Sequence, residues 1–225
     1  MTAELARRAR VPVPEAITGP RVIAIARGLE PSRILRIGEG LLGGGVRAFE
    51  VTLNSPAAFE AIGALAREFG EADGHAARLG GGLVIGAGTV LDIESARRAI
   101  DAGARFLVSP HTDRALIEWT ANRGIPSLPG AFTPTEIVAA WRAGASAVKL
   151  FPASAVGPAF VRELRGPFRD IPLIPTGGVT IDTAPEFIRA GAIAIGVGSW
   201  LIGEGEVAGI AERGRQVVRA LADVR

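Results

Sequence analysis

A recurring pattern of a glycine, a short apolar strand and a polar or proline-containing loop constrains the fold of this chain most. The pattern occurs in four segments: LGGGVRAFEVTL (42–53), DAGARFLVSP (101–110), RAGASAVKLFP (142–152) and RAGAIAIGVGS (189–199). In each segment a glycine stands where a helix is expected to end, because a glycine adopts the left-handed conformation of many helix ends without a Cβ clash. The pattern therefore predicts four similar connections from a helix to a strand.

Four further apolar stretches complete a set of eight predicted strands. They are RVIAIAR (21–27), LVIGAGT (83–89), IPSLPG (125–130) and IPLIPTGG (171–178). The connecting stretches have helical periodicity, as in PTEIVAAWRAG (134–144) and PAFVRELRG (158–166). Strands that are apolar along their whole length are typical of buried parallel sheets. The alternation predicts an α/β protein with a single (β/α)8 TIM barrel. A doubly wound open sheet is disfavoured because no G-x-G-x-x-G motif opens the first helix.

We expect one domain over residues 1–225, with residues 1–20 as a helical extension before the first strand and residues 70–82 as a loop insertion. A hydrophobic content of 48% is enough for a sizeable core, and the formal net charge is only +2. The chain has no basic tail and no cysteine, and no apolar run reaches the roughly 18 residues of a membrane helix. These features predict a soluble, cytoplasmic protein, and they argue against a nucleic-acid platform, a membrane span and disulfides.

Lys149 is the single lysine among 25 lysine and arginine residues. Side chains alternate along a strand, so if Val148 and Leu150 face the helices, Lys149 faces the barrel interior together with Ala147 and Phe151. Burial favours the neutral amine, which is the nucleophile that forms a Schiff base with a ketone. The alternatives are a lysine that extends to solvent or one in a structural ion pair. The use of an amine in a chain otherwise rich in arginine favours catalysis, because a guanidinium is not a nucleophile.

Glu50 lies in AFEVTLNSP, and the same alternation directs its side chain into the barrel. The second and sixth strands stand on opposite sides of an eight-stranded barrel, so Glu50 is expected to face Lys149 across the mouth. A carboxyl opposite a carbonyl-capturing amine suits general acid–base catalysis. The alternative is a structural ion pair between Glu50 and either Lys149 or Arg27.

Further candidates follow the strand ends. Arg27 ends the first strand, where a guanidinium can bind a carboxylate with two hydrogen bonds. Thr89 in GAGTV supplies a hydroxyl, although this glycine-rich strand end equally suits close packing. The loops PTGGV (175–179) and GVGSW (196–200) follow strands 7 and 8, where barrels bind phosphate through backbone N–H groups. The alternative for these two loops is a pair of tight turns.

Other polar residues have structural explanations. The segment TPTE (133–136) is a capping box with proline at the first helical position. His75 falls in the expected insertion and is expected at the solvated surface. His111 follows the fourth strand, where lining the barrel mouth and belonging to a helix start are both open. Two histidines without cysteine argue against a zinc site.

The segments EVTLNSP, IGAGTVL, LVSPH, PGAFTPTE, VKLFPAS, PTGGV and GVGSW occur in this order over about residues 20–202. Together they closely resemble the bacterial 2-keto-3-deoxy-6-phosphogluconate (KDPG) aldolase family, which includes the 6-phosphogalactonate and 4-hydroxy-2-oxoglutarate aldolases. The resemblance implies a (β/α)8 barrel, a homotrimer, and a covalent lysine Schiff base with no metal or organic cofactor.

By the same resemblance, Lys149 forms the Schiff base and Glu50 is the general acid/base. Arg27 and Thr89 would hold the carboxylate of the pyruvyl half of the substrate. Many gluconate-type members have an arginine at the position of Asn54, whereas LNSP resembles the galactonate type. This departure leaves Arg27 as the expected carboxylate clamp and leaves the preferred C4 epimer open.

The resemblance also places Gly177, Gly178 and Ser199 at the phosphate, with Pro110, Phe151 and Asn54 as pocket walls. The implied reaction cleaves KDPG or its galactonate epimer to pyruvate and glyceraldehyde 3-phosphate. One alternative is a 4-hydroxy-2-oxoglutarate aldolase that yields pyruvate and glyoxylate. Alternatives from other classes are a non-catalytic sugar-phosphate-binding barrel and an isomerase or synthase on a phosphate-binding barrel.

Overall fold

Helices and strands alternate in the structure, a computed structural model that describes residues 10–28, 31–70, 82–203 and 207–224. The strands are β1 Val22–Ala26, β2 Ala48–Thr52, β3 Val84–Gly88, β4 Phe106–Val108, β5 Ser127–Leu128, β6 Gly130–Ala131, β7 Val148–Leu150, β8 Leu173–Pro175 and β9 Ile195–Val197. The helices are α1 Glu15–Thr18, α2 Ile34–Gly43, α3 Ala58–Phe69, α4 Ile93–Ala102, α5 Arg114–Ala121, α6 Pro134–Ala143, α7 Gly157–Arg165, α8 Ala184–Arg189, α9 Ser199–Ile202 and α10 Val207–Ala222. Within these ranges no helix combines the length and the apolar character needed to span a bilayer.

The strands form a closed parallel barrel. One sheet has the order β5-β4-β3-β2-β1-β9 and the other has the order β6-β7-β8. Pro129 links β5 to β6 in the chain, and a parallel bridge between Thr176 and Gly196 joins the ends of β8 and β9. Spatial neighbours are therefore sequence neighbours around the whole ring, whereas a doubly wound sheet reverses its strand order at a switch point. The predicted TIM-barrel class is confirmed.

The fifth predicted strand, IPSLPG, appears as two short strands separated by Pro129. A proline has no N–H to donate to a strand ladder, so the ladder is interrupted at this residue. The carbonyl of Pro129 still accepts a hydrogen bond of 2.9 Å from the backbone N–H of Lys149. The strands β5 and β6 together occupy the fifth barrel position.

A glycine with positive φ stands at each of the four predicted helix ends. The φ angles are +80° at Gly45, +117° at Gly103, +111° at Gly144 and +104° at Gly191. This left-handed backbone ends the helix and turns the chain into the following strand. The expectation from the repeated pattern is confirmed.

The side chains of each strand alternate between two apolar clusters. In β1, Ile23 and Ile25 belong to the cluster inside the barrel, while Val22, Ala24 and Ala26 pack in the layer between the strands and the helices. This alternation follows from the period of two in a β-strand. The packed interior leaves the C-terminal strand ends and the loops after them as the place for a site.

The N-terminal end of the barrel is closed by α1. Ile17 is fully buried in the interior cluster, with Val13 packed against it. Arg10 anchors the preceding segment, because its Nη1 donates to the carbonyls of Trp141 (2.9 Å) and Ala145 (2.7 Å). Its guanidinium carbon lies 3.3 Å from the centre of the Trp141 ring.

The two sequence expectations outside the barrel are only partly covered by the structure. In the described part of the predicted extension, residues 10–20, the helix is limited to the four residues Glu15–Thr18. Residues 1–9 of that extension and residues 71–81 of the predicted insertion lie outside the described residues.

Candidate active site

Every residue singled out as a site candidate lies at the C-terminal end of the barrel, on a strand, in a loop or, for Ser199, at the start of a helix. Glu50 lies in β2 and Lys149 lies in β7. The others directly follow strands: Arg27 after β1, Asn54 after β2, Thr89 after β3, Pro110 after β4, Phe151 after β7, Gly177 and Gly178 after β8, and Ser199 after β9. The barrel thus gathers residues that are far apart in the sequence at one mouth.

A cavity of about 700 Å³ opens at this mouth. The candidates that line it are Arg27, Lys149, Phe151, Gly177, Gly178 and Ser199. Glu50, Asn54, Thr89 and Pro110 are not among its lining residues. Both glycine loops and Lys149 therefore border one space, whereas the other four candidates do not line it.

Lys149 is enclosed, with 6% of its surface exposed. Its Nζ lies 5.0 Å from the centre of the Phe151 ring, a position in which the ring face attracts a positive charge. Its strand neighbour in β6 is Gly130, which has no side chain to cover the amine. Within the described residues, no carboxylate oxygen lies at ion-pair distance from Nζ. The amine is thus enclosed yet has no fixed anionic partner in this part of the chain.

Glu50 is almost completely buried, with 2% of its surface exposed. Burial raises the pKa of Glu50, and the positive charges of Lys149 and Arg27 offset part of that increase. In the described structure neither cation forms a close ion pair with the Glu50 carboxyl. The direct ion pair that the sequence left open is therefore absent. A carboxyl that retains its proton to a higher pH than usual is suited to both accept and return a proton.

The carboxyl of Glu50 occupies space that a glycine provides. A Cβ added at Gly88, in the adjacent strand β3, would lie 1.9 Å from Oε1 of Glu50.

The residue after Gly88, Thr89, has a φ of +56°, a left-handed conformation that costs a non-glycine residue about 1–3 kcal/mol. Hydrogen bonds on both sides hold it there, from Leu53 N–H to the Gly88 carbonyl and from Val90 N–H to the Val108 carbonyl.

The loop after β8 exposes backbone to the cavity. Gly177 and Gly178 have φ angles of +91° and +73°. A Cβ at Gly178 would lie 2.5 Å from the Cβ of Ser154, and one at Gly177 would lie 3.2 Å from the Phe151 ring. Side chains at these positions would crowd the cavity wall. A glycine pair of this kind lets an anionic group approach backbone N–H groups closely.

Thr176 and Trp200 are among the cavity-lining residues that sequence reasoning did not single out. The hydroxyl of Thr176 donates to the carbonyl of Ile174 at 3.3 Å, and Gly196 opposite has no Cβ that would collide with it. Both residues lie inside motifs that the sequence highlighted, PTGGV and GVGSW. Their signal was therefore present, but only the glycines and the serine were assigned a role.

The described residues contain no group of three or more histidine, aspartate and glutamate side chains that is placed to hold a metal ion.

An enclosed amine and a carboxyl of raised pKa at the C-terminal mouth of a (β/α)8 barrel are typical of barrel enzymes that use amine and acid–base chemistry. A family model described as KDPG and KHG aldolase matches residues 13–212. A probable 2-dehydro-3-deoxy-6-phosphogalactonate aldolase of Rhizobium meliloti (strain 1021) is 36% identical over 201 residues, which are 89% of this chain and 89% of the relative. The chain belongs to the KDPG and KHG aldolase family, and its enzyme class is aldolase, a lyase.

Solved structures agree with this assignment. One named "Native KDPGal structure" has a TM-score of 0.81 and 32% identity, and the match covers 90% of this chain and 95% of that one. A KDPG aldolase from Legionella pneumophila, with pyruvate captured at low pH as a covalent carbinolamine intermediate, has a TM-score of 0.74 and 26% identity. That match covers 94% of this chain and 98% of the Legionella chain.

Proposed function

We propose that this chain is a class I, metal-independent aldolase that cleaves 2-keto-3-deoxy-6-phosphogluconate or its galactonate epimer to pyruvate and glyceraldehyde 3-phosphate. The observation that carries the proposal is the enclosed amine of Lys149, which borders the cavity while the Glu50 carboxyl of raised pKa stands nearby. The carbinolamine captured in the Legionella aldolase supports the same chemistry here. The roles of the individual residues below are parts of this proposal.

The reaction begins when the neutral amine of Lys149 adds to the C2 carbonyl of the substrate. The resulting carbinolamine loses water to give an iminium, whose positive charge accepts the electron pair of the C3–C4 bond. Glu50 takes the proton of the C4 hydroxyl through a water as that bond breaks, so C4 leaves as the carbonyl of glyceraldehyde 3-phosphate. The remaining enamine takes a proton at C3. Water then hydrolyses the iminium to release pyruvate and the free amine.

The two ends of the cavity hold the two charged ends of the substrate. Arg27 binds the carboxylate next to the C2 ketone, because a guanidinium matches a carboxylate with two hydrogen bonds. Thr89 does not line the cavity, so the hydroxyl donor that the family resemblance assigns to this residue stays a prediction. At the other end, backbone N–H groups of Gly177 and Gly178 bind the phosphate, together with Ser199. Binding at both ends places C2 beside the amine, which converts the addition into an intramolecular step.

The sharpest test is borohydride reduction in the presence of pyruvate, followed by peptide mass analysis. Lys149 carries the only side-chain amine of the chain, so one modified side chain is expected, and the N-terminal amine serves as the internal comparison. Lys149→Arg keeps the positive charge and removes the nucleophile. We expect this variant to fold, to bind no pyruvate covalently and to lose essentially all turnover. Near-normal cleavage by Lys149→Arg would refute the covalent role.

The family description also names KHG, so a 4-hydroxy-2-oxoglutarate aldolase that yields pyruvate and glyoxylate is the second candidate. The two glycine loops that border the cavity favour the phosphorylated substrate. Comparison of kcat/KM for the two substrates separates the candidates, because a phosphate site that is used in the transition state raises kcat/KM for the phosphorylated one. Equal values would contradict a phosphate site that is used in the transition state, and a higher value for 4-hydroxy-2-oxoglutarate would favour the second candidate.

A homotrimeric assembly and a cytoplasmic location stay predictions that rest on the family resemblance and the composition of the chain. Light scattering coupled to gel filtration measures the assembly directly.

A further inference from the structure

Three hydrogen bonds connect the end of β2 to the turn that follows β1. The backbone N–H of Gly28 donates to Oγ of Ser55 at 2.9 Å. The hydroxyl of Thr52 donates to the carbonyl of Ala26 at 3.1 Å. The two hydroxyl oxygens lie 3.0 Å apart. The bonds form a continuous chain from Gly28 through Ser55 and Thr52 to Ala26, which we call the hydroxyl relay.

The direction of every bond in the hydroxyl relay follows from the chemistry of its ends. The carbonyl of Ala26 accepts only, so the single hydroxyl proton of Thr52 is used there. Ser55 must then donate its own proton to the Thr52 oxygen. The oxygen of Ser55 in turn accepts the N–H of Gly28. Each hydroxyl gives one hydrogen bond and receives one, so the loss of either hydroxyl breaks the chain of bonds.

The hydroxyl relay holds the backbone on both sides of Arg27. The Ala26 carbonyl belongs to the peptide group before Arg27, and the Gly28 N–H belongs to the peptide group after it. Gly28 has a φ of +64°, so the chain turns sharply at this point. With both neighbouring peptide groups fixed, the Cα–Cβ direction of the exposed Arg27 side chain is set by β2.

The strand β2 also carries Glu50, and this gives the hydroxyl relay a functional consequence. Thr52 lies two residues after Glu50, so both side chains project from the same face of the strand. Thr52 is fully buried, and its hydroxyl bonds the inward face of β2 to the carbonyl that precedes Arg27. The base of the Arg27 side chain, from which the guanidinium extends, is thereby tied to the strand of the acid/base.

We propose that Thr52 and Ser55 are positioning residues that aim the Arg27 guanidinium at the substrate carboxylate, an inference that rests on the role of Arg27 in the proposed function. They touch no substrate themselves. Without the hydroxyl relay, Arg27 keeps its charge but loses its fixed direction, so carboxylate binding weakens while the amine chemistry at Lys149 proceeds. The signature is a higher KM with an unchanged kcat, a split that marks lost binding rather than lost chemistry.

The test uses Thr52→Val, which keeps the shape of the side chain and removes the hydroxyl. We expect the KM for KDPG, and the pyruvate concentration for half-maximal borohydride trapping, to rise about tenfold with kcat unchanged. Thr52→Ser restores the hydroxyl and should return both values to those of the wild type. Thr120→Val is the matched control, since Thr120 is equally buried and donates to the Ile117 carbonyl at 2.8 Å in helix α5. It should alter neither value.

A double-mutant cycle with Arg27→Gln separates positioning from general stability. Once the guanidinium is absent, Thr52→Val should raise KM no further. The inference is overturned if Thr52→Val raises KM equally in both backgrounds, or if it lowers only the melting temperature, as a purely structural hydroxyl would. A wild-type chain that pyruvate and borohydride do not modify overturns the proposed function and this inference with it. A modified wild type whose KM is insensitive to Thr52→Val overturns this inference alone.

Discussion

Substitution of Gly88 by alanine is expected to disable Glu50 without changing a catalytic side chain. Gly88 ends β3, and a Cβ at this position would lie 1.9 Å from Oε1, 2.6 Å from Cδ and 2.7 Å from Cγ of Glu50. The φ of Gly88 is not in the left-handed region, so the backbone itself accepts alanine. The effect is therefore a collision with the carboxyl, and either Glu50 or β3 has to move.

The size of the effect follows from the burial of Glu50. With 2% of its surface exposed, the side chain has little free space into which it can rotate. General acid–base catalysis contributes about 100-fold to 10,000-fold to a rate, so we expect kcat of Gly88→Ala to fall by at least about 100-fold. The added methyl group in a packed interior should also lower the free energy of unfolding by about 1–3 kcal/mol.

The assay measures KDPG cleavage and borohydride trapping of pyruvate on the same preparations. Trapping at Lys149 should persist in Gly88→Ala, and the double variant with Glu50→Gln should be no slower than Glu50→Gln alone. Gly43→Ala is the control, because its nearest atom beyond the helix, the Cβ of Ala211, lies at an ordinary 3.7 Å. A folded Gly88→Ala with wild-type kcat, or a further loss in the Glu50→Gln background, would contradict the reasoning.

Three other perturbations have defined outcomes. Burial raises the pKa of Glu50 above its ordinary 4.5, so ionisation opposes folding as the pH rises from 4.5 through that raised pKa. Glu50→Gln should therefore have a higher free energy of unfolding than the wild type near neutral pH, and this difference should disappear below pH 4.5. Urea denaturation at several pH values measures the difference. Ile17→Ala leaves a cavity at the closed end of the barrel and should lower the free energy of unfolding by about 2–5 kcal/mol in urea denaturation. Its kcat/KM should be unchanged, because this end of the barrel lies away from the site. Arg213 donates to the carbonyls of Leu201 and Ile202 at the end of α9, at 2.9 Å and 3.0 Å. Arg213 thereby holds helix α9, whose first residue, Ser199, lines the cavity at the proposed phosphate site. Arg213→Met should therefore raise the KM for KDPG about tenfold in steady-state assays. The change should be smaller for 4-hydroxy-2-oxoglutarate, which has no phosphate.

The fold followed from the sequence because its signals are local. Apolar runs, helical periodicity and glycines at helix ends each concern a few neighbouring residues, and together they predicted the barrel. Pro129 is visible in the sequence, but the sequence does not show that the fifth strand divides there. A proline interrupts a strand only where the neighbouring strand would need its N–H. The position of the fifth strand next to β4 on one side and β7 on the other emerges only when the barrel closes.

The sequence predicted which residues lie at the barrel mouth better than it predicted the contacts between them. Alternation along a strand directed Glu50 and Lys149 inward, and the strand ends indicated where Arg27 and the glycine loops would lie. The hydroxyl relay was not predictable, because it joins Thr52 and Ser55 to a turn that precedes them by many residues. Its hydrogen bonds exist only when β1 and β2 are paired in the observed register.

The sequence by itself determined the order of strands and helices and the inward direction of the amine and the carboxyl. It also determined which motifs lie at the barrel mouth. These are properties of short stretches of chain, governed by backbone geometry and side-chain period. Only the tertiary structure decided that Glu50 and Lys149 stand near each other without an ion pair, that burial raises the pKa of the carboxyl, and that Gly88 leaves room for it. Those outcomes depend on the distances and the exclusion of water that arise when residues remote in sequence are packed together.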